Sequence, residues 1–238
     1  MHFFIHALEG SEAIGDALPF ADRYAALVSN IPHALHMPGH VYGLTGRFDQ
    51  AVEAFSVAAA KEREYISADP FYSRQPYLHN EMLFIHVLGL QGNYVEAMSR
   101  ITDLMSVSAN SAEDDMAILY NRIGWYALMK TLVRFEKWEE ILDAEILPFV
   151  DQPFETIWYG WAQGLAYAST SNPSGAQESL LGMEQAIQSL ARFVDPIPPQ
   201  FQIARSELQA YIDTITGNWE RGLDGLDRAA ILEFELPY

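Results

Sequence analysis

The chain has 238 residues, half of them hydrophobic and 13% aromatic, with no cysteine and a formal net charge of −18. Length and aromatic content fit one sizeable domain or an array of repeats and exclude a disordered chain. The negative charge disfavours nucleic acid as a partner. The missing thiols rule out disulfides and thiolate metal sites and leave cytoplasm and periplasm equally open.

The opening "MHFFIHALEGSE" has neither a basic start nor a small-residue cleavage site, so it does not read as a signal peptide. It begins directly in amphipathic, helix-like sequence, and "LEFELPY" ends as abruptly. Both ends read as cut from a longer protein. No apolar run is long enough to span a membrane. His2 and His6 are four residues apart and share one helical face. "HFFIH" spaces them as in a zincin helix but lacks the glutamate of H-E-x-x-H, so metalloprotease chemistry is not indicated.

Next comes "SEAIGDALPFADRYAALV", followed by "PHALHMPGH" at 32–40, which holds three of the seven histidines. Pro32 suits the first turn of a helix. A helix beginning there carries Pro38 in its interior, losing one backbone hydrogen bond and bending between His36 and His40. The alternative starts the helix at Pro38 and leaves His33 and His36 on a loop.

Three later stretches repeat one pattern: "LTGRFDQAVEAFSVAA" from 44, "LQGNYVEAMSRITDLM" from 90 and "ITGNWERGLDGLDRAA" from 215. Each has a glycine, an aromatic two residues on, and a small residue three further: Gly46, Phe48, Ala51; Gly92, Tyr94, Ala97; Gly217, Trp219, Gly222. The glycine ends one helix in a left-handed turn, the aromatic fills the helix–helix corner, and the small residue lets the second helix pack closely. Weaker copies place Trp138 two residues after Glu136, Ala176 at the small position after Ser171, and Ala17 one 34-residue period before Ala51. "KEREYISADPFYSRQP" holds extra residues between the first two clear copies, expected as a longer second helix and a proline-containing loop.

This pattern resembles the tetratricopeptide repeat (TPR), a helix–turn–helix of about 34 residues. "HFFIHALE", "PHALHMPGH" and "YLHNEMLFIH" also resemble a family of bacterial TPR proteins that repeat H-x-x-x-H, P-H-A-x-H-M-P-x-H and a later H-N, with no assigned reaction. The resemblance implies an all-α, right-handed solenoid of about six antiparallel hairpins over 1–238, the first incomplete. Hairpins bearing histidine would occupy 1–107 and histidine-free hairpins 108–238. It further implies that the first helix of each hairpin lines a concave groove.

Counting back from the turn glycine, His33, His36 and His40 stand 13, 10 and 6 residues before Gly46, and His79 and His86 stand 13 and 6 before Gly92. These steps keep to one helical face. His2 and His6 fit the same register if the preceding turn is at Glu12, although Gly10 is the better turn residue. Neighbouring first helices pack roughly 8–10 Å apart, so imidazoles from adjacent helices can meet on one ion. The sharp reading is therefore an imidazole-built metal site for zinc or copper, with His36, His40, His79 and His86 central and His2, His6 and His33 completing or tuning it. Iron would want a carboxylate, for which Glu9, Glu81 and Asp22 are the nearest candidates. Asn80, beside His79, could orient a ligand, as could Asn121. An open coordination position would make the protein a metal-dependent hydrolase or an oxidase/oxygenase. Without turnover it would buffer or carry metal.

The competing readings are a histidine-lined groove for a peptide or small molecule, and plain polar packing. Tyr126, Lys130, Trp158 and Trp161 are expected on later first helices, as core residues or as the wall of a substrate cavity. No phosphate-binding glycine loop, G-x-S-x-G elbow or acidic calcium loop occurs.

Overall fold

The structure, a computed structural model, describes residues 1–69, 71–107 and 115–236. It is all-helical. Twelve α-helices and one 3-10 turn follow one another, with no strand among the described residues. The chain divides into two compact units, the first ending at Thr131 and the second starting at Leu132. All seven histidines lie in the first unit. Among the described residues no helix is long and apolar enough to cross a membrane.

The first unit opens with α1 (His2–Leu8), a 3-10 segment (Glu12–Ala17) and α2 (Leu18–Leu27). Helices α3 (Pro32–Leu44) and α4 (Phe48–Ala68) form a hairpin, and α5 (Gln75–Gln91) and α6 (Tyr94–Met105) form the next. Helix α7 (Asp115–Arg134) follows and carries the chain into the second unit. There the short α8 (Trp138–Leu142) packs on α9 (Pro153–Ser169), α9 pairs with α10 (Pro173–Leu190), and α11 (Pro199–Ile215) pairs with α12 (Trp219–Phe234). The extra residues after the first hairpin are taken up largely by α4, which runs for 21 residues.

One turn geometry recurs five times. Gly46, Gly92 and Gly217 adopt left-handed backbone, with φ of 75°, 82° and 89°. Glu136 and Ser171, at the matching positions without glycine, adopt it too, at 53° and 60°. In each case the next amide donates back across the turn: Arg47 to the Tyr42 carbonyl, Asn93 to Leu88, Lys137 to Leu132, Asn172 to Tyr167 and Asn218 to Asp213, all at 2.8–2.9 Å. This is the bond that caps the open carbonyls of a helix end. Five residues beyond each turn position the residue is buried: Ala51, Ala97, Ile141, Ala176 and Gly222. A Cβ on Gly222 would stand 2.5 Å from the Thr214 side chain, so only glycine permits that approach.

The left-handed region costs an L-residue roughly 1–2 kcal/mol that glycine avoids. Glu136→Gly and Ser171→Gly are each expected to stabilise the protein by about 1 kcal/mol, raising Tm by about 2–4 °C. Calorimetry showing no rise in either variant would contradict the turn assignment.

First helices pack in succession: α1 against α3, and α3 against α5. Helix α3 begins at Pro32 and carries Pro38 in its interior, as the favoured reading expects. Its face toward α4 is closed by Phe55, which is 1% exposed and lies so near Gly39 that a Cβ there would meet the ring at 2.5 Å. The turn before α3 differs from the expected register, because Gly10, not Glu12, takes the left-handed backbone, at φ 73°. Glu12 instead starts the 3-10 segment.

Candidate metal centre

Six of the seven histidines converge. They form two triads, His2–His6–His33 and His36–His40–His79, and within each triad one ligand atom per residue lies within 4.8 Å of the others. Each triad is an i, i+4 pair from one helix plus a single histidine from the next. Residues four apart share a face within one turn, whereas seven residues span about 10 Å along the axis. That distance separates His33 from His40 into different triads. It also takes His86, seven residues beyond His79, away from both. His86 is exposed on α5.

The inner triad is the more buried, with His36 at 2% exposure and His40 at 8%. Phe55 closes one side, its ring centroid 5.2 Å from that of His36. Burial pushes the His36 imidazole down to about 3 and the His40 imidazole down to about 2, so both are neutral near pH 7. Burial also lowers His2, His33 and His79 below the ordinary value.

Asn80 fixes one ring. Its Nδ2 donates to the Phe55 carbonyl at 3.0 Å, which commits its Oδ1 to accept from His36 Nδ1 at 2.9 Å. His36 Nδ1 therefore carries the proton, and His36 Nε2 is a bare lone pair. His40 Nε2 lies 2.6 Å from that lone pair. Neutral His40 has one proton for two nitrogens. Placed on Nε2, it bridges to His36 and leaves Nδ1 presenting a lone pair to Glu9 Oε1, 3.1 Å away. Placed on Nδ1, it leaves two lone pairs facing each other at 2.6 Å. His40 Nδ1 and Glu9 Oε1 are both buried and neither has a hydrogen-bond partner, since their contact lacks the alignment a hydrogen bond needs. Either proton placement sets two lone pairs against each other within the cluster.

Glu9 was only one of three carboxylate candidates in the sequence, and the structure separates them. Its side chain is 8% exposed, and its Oε2 accepts from His6 Nδ1 at 2.8 Å. Glu81 is instead committed to Arg100, at 3.0 Å, and Asp22 accepts from the Tyr42 hydroxyl at 2.8 Å. Asn121 donates to the carbonyls of Val107 and Ala117 and not to any histidine. Asn80 bonds His36, across the helix pair, and not its neighbour His79.

The aromatic candidates have other partners. Tyr126 and Lys130 lie on α7, Tyr126 with its ring edge-on to Trp125 at 5.2 Å. Trp158 and Trp161 lie on α9, against the hydrophobic core of the second unit. Their rings meet edge to face at 5.4 Å, and Trp161 Nε1 donates to Glu207 Oε2 at 2.9 Å.

Fold and site together define an all-helical protein with a histidine-rich cluster gathered by three consecutive first helices. Comparison of the chain with family models, curated proteins and solved structures finds no match.

Proposed function

We propose that this protein binds transition metal on its imidazole triads, with zinc or copper the ions best suited to neutral nitrogen donors. One observation carries the reading: His36 Nε2 and His40 Nε2 lie 2.6 Å apart, and His79 offers a third nitrogen within 4.8 Å of them. A cation held among those nitrogens would satisfy their lone pairs. His36 Nδ1 then keeps its bond to Asn80, the outer partner that metal-binding histidines commonly use to fix tautomer and aim. The repeated left-handed turns and the succession of first helices support a TPR-like solenoid as the scaffold.

Three imidazoles per ion leave room for water or substrate, the coordination that supports catalysis. With zinc the centre would activate water for hydrolysis, and with copper or iron it would handle dioxygen. Elemental analysis of protein purified without chelator tests the proposal, with stoichiometric metal expected. Protein that stays metal-free after reconstitution, yet binds peptide, would replace it with the histidine-lined groove.

Asn80→Ala should lower metal affinity about 10–100-fold, because His36 loses its orienting acceptor. The buried His36 Nδ1–H, left without its acceptor, should add about 1–3 kcal/mol of destabilisation. Competition titration against a chromophoric chelator measures the first effect and urea unfolding the second. Unchanged affinity would remove Asn80 from the site.

A further inference from the structure

We infer that the two triads are halves of one dinuclear centre, with Glu9 as the anion its two ions share. The inference rests on the metal-binding reading and goes beyond it in number, coupling and the role of Glu9.

The triads touch. The rings of His33 and His36 are 5.5 Å apart, centroid to centroid, and those of His6 and His40 are 6.2 Å apart. One carboxylate reaches both sets, with Oε2 at 2.8 Å from His6 Nδ1 and Oε1 at 3.1 Å from His40 Nδ1. Glu9 Oε1 is buried and has no hydrogen-bond partner, so an unsatisfied acceptor is aimed into the cluster. The charge of Glu9 also acts on His2, His33 and His79, members of both triads.

Charge balance gives this placement its meaning. Six neutral imidazoles contribute no charge against two divalent cations, whose mutual repulsion grows as they approach. Among the carboxylates considered, Glu81 is paired with Arg100 and Asp22 is held by Tyr42, which leaves Glu9 to offset that repulsion. The second ion to bind should therefore depend on Glu9 more steeply than the first. The triads also differ in exposure. The inner one holds His36 and His40 buried with His79 exposed, while the outer one has both His6 and His33 exposed. The outer ion is thus the one that solvent and small molecules reach first.

Copper(II) titration of chelator-treated protein, followed by electron paramagnetic resonance, tests the inference. The expected result is uptake of two ions per chain. A mononuclear signal should rise to one equivalent and then give way to a spin-coupled pair with a half-field transition. Glu9→Gln, which keeps the side-chain shape and removes the charge, should retain the first ion and weaken the second at least tenfold, with circular dichroism confirming the fold. Two independent, additive copper signals, a single ion per chain, or a Glu9→Gln variant that binds both ions as the native chain does would each overturn the shared centre and leave metal binding standing. No copper bound at all would overturn the metal reading itself.

Discussion

His40→Ala is expected to cost the inner triad its ion and to lower its affinity by more than about a hundredfold. Losing even an outer partner of a ligand typically costs 10–100-fold, and here a ligand itself is lost. His40 Nε2 supplies one of two nitrogens that face each other at 2.6 Å. His33, seven residues away along α3 and about 10 Å on the helix axis, does not replace it. The same variant separates metal binding from plain packing. A buried imidazole serving only as filler would leave a cavity whose cost is about 2–4 kcal/mol, with metal content untouched. A ligand imidazole gives the reverse. Removing it from metal-free protein also relieves the clash of lone pairs, so the loss of stability should be concentrated in the metal-loaded form. Elemental analysis and thermal unfolding, each with and without metal, read both quantities. Unchanged metal content in His40→Ala would sink the assignment.

Metal-free protein should lose stability steeply as pH falls from 7 to 5. Burial holds His36 at about 3 and His40 at about 2, against 6.5 for a free imidazole. Below pH 6.5 the unfolded chain takes up protons that the folded chain refuses. The stabilisation from these two groups is complete above 6.5 and drains away as pH drops toward the folded values. At pH 5 the difference amounts to about 2 kcal/mol for each histidine, about 4 kcal/mol together. Urea midpoints in chelator at the two pH values measure it. Equal midpoints would show that His36 and His40 are not held neutral in the fold.

Periodicity in the sequence carries the hairpins because one backbone requirement repeats. The turn position must turn left-handed, and Gly46, Gly92 and Gly217 announce it. Glu136 and Ser171 do so only by register, since their side chains give no hint of the conformation. The histidine cluster is legible for the same reason: offsets from the turn place His36, His40 and His79 on helices that pack side by side. What the offsets miss is axial distance. A common face is necessary for convergence, but His86 shares the face of His79 and lies two turns too far along. The division into two triads follows from that distance and from which helix pairs with which. Glu9 is the residue that sequence underrates. It caps the end of α1 three residues after His6, and its two oxygens reach His6 at 2.8 Å and His40 at 3.1 Å. Trp158 and Trp161, read from sequence as core or as cavity wall, pack α9 against the hydrophobic core of the second unit.

Helix α1 has seven residues and a single buried side chain, Ile5. It packs against α3. It supplies His2 and His6 and leads directly into Glu9, with the left-handed Gly10 as its hinge. On the proposed metal reading, an ion in the outer triad would tie α1 to α3 through His2, His6 and His33, and part of its binding free energy would go into holding that contact. On that reading the backbone would serve as an occupancy gauge. Amide protons of residues 2–9 should exchange slowly when the centre is loaded and quickly when it is stripped, so the state of the metal can be read from the backbone without touching the metal.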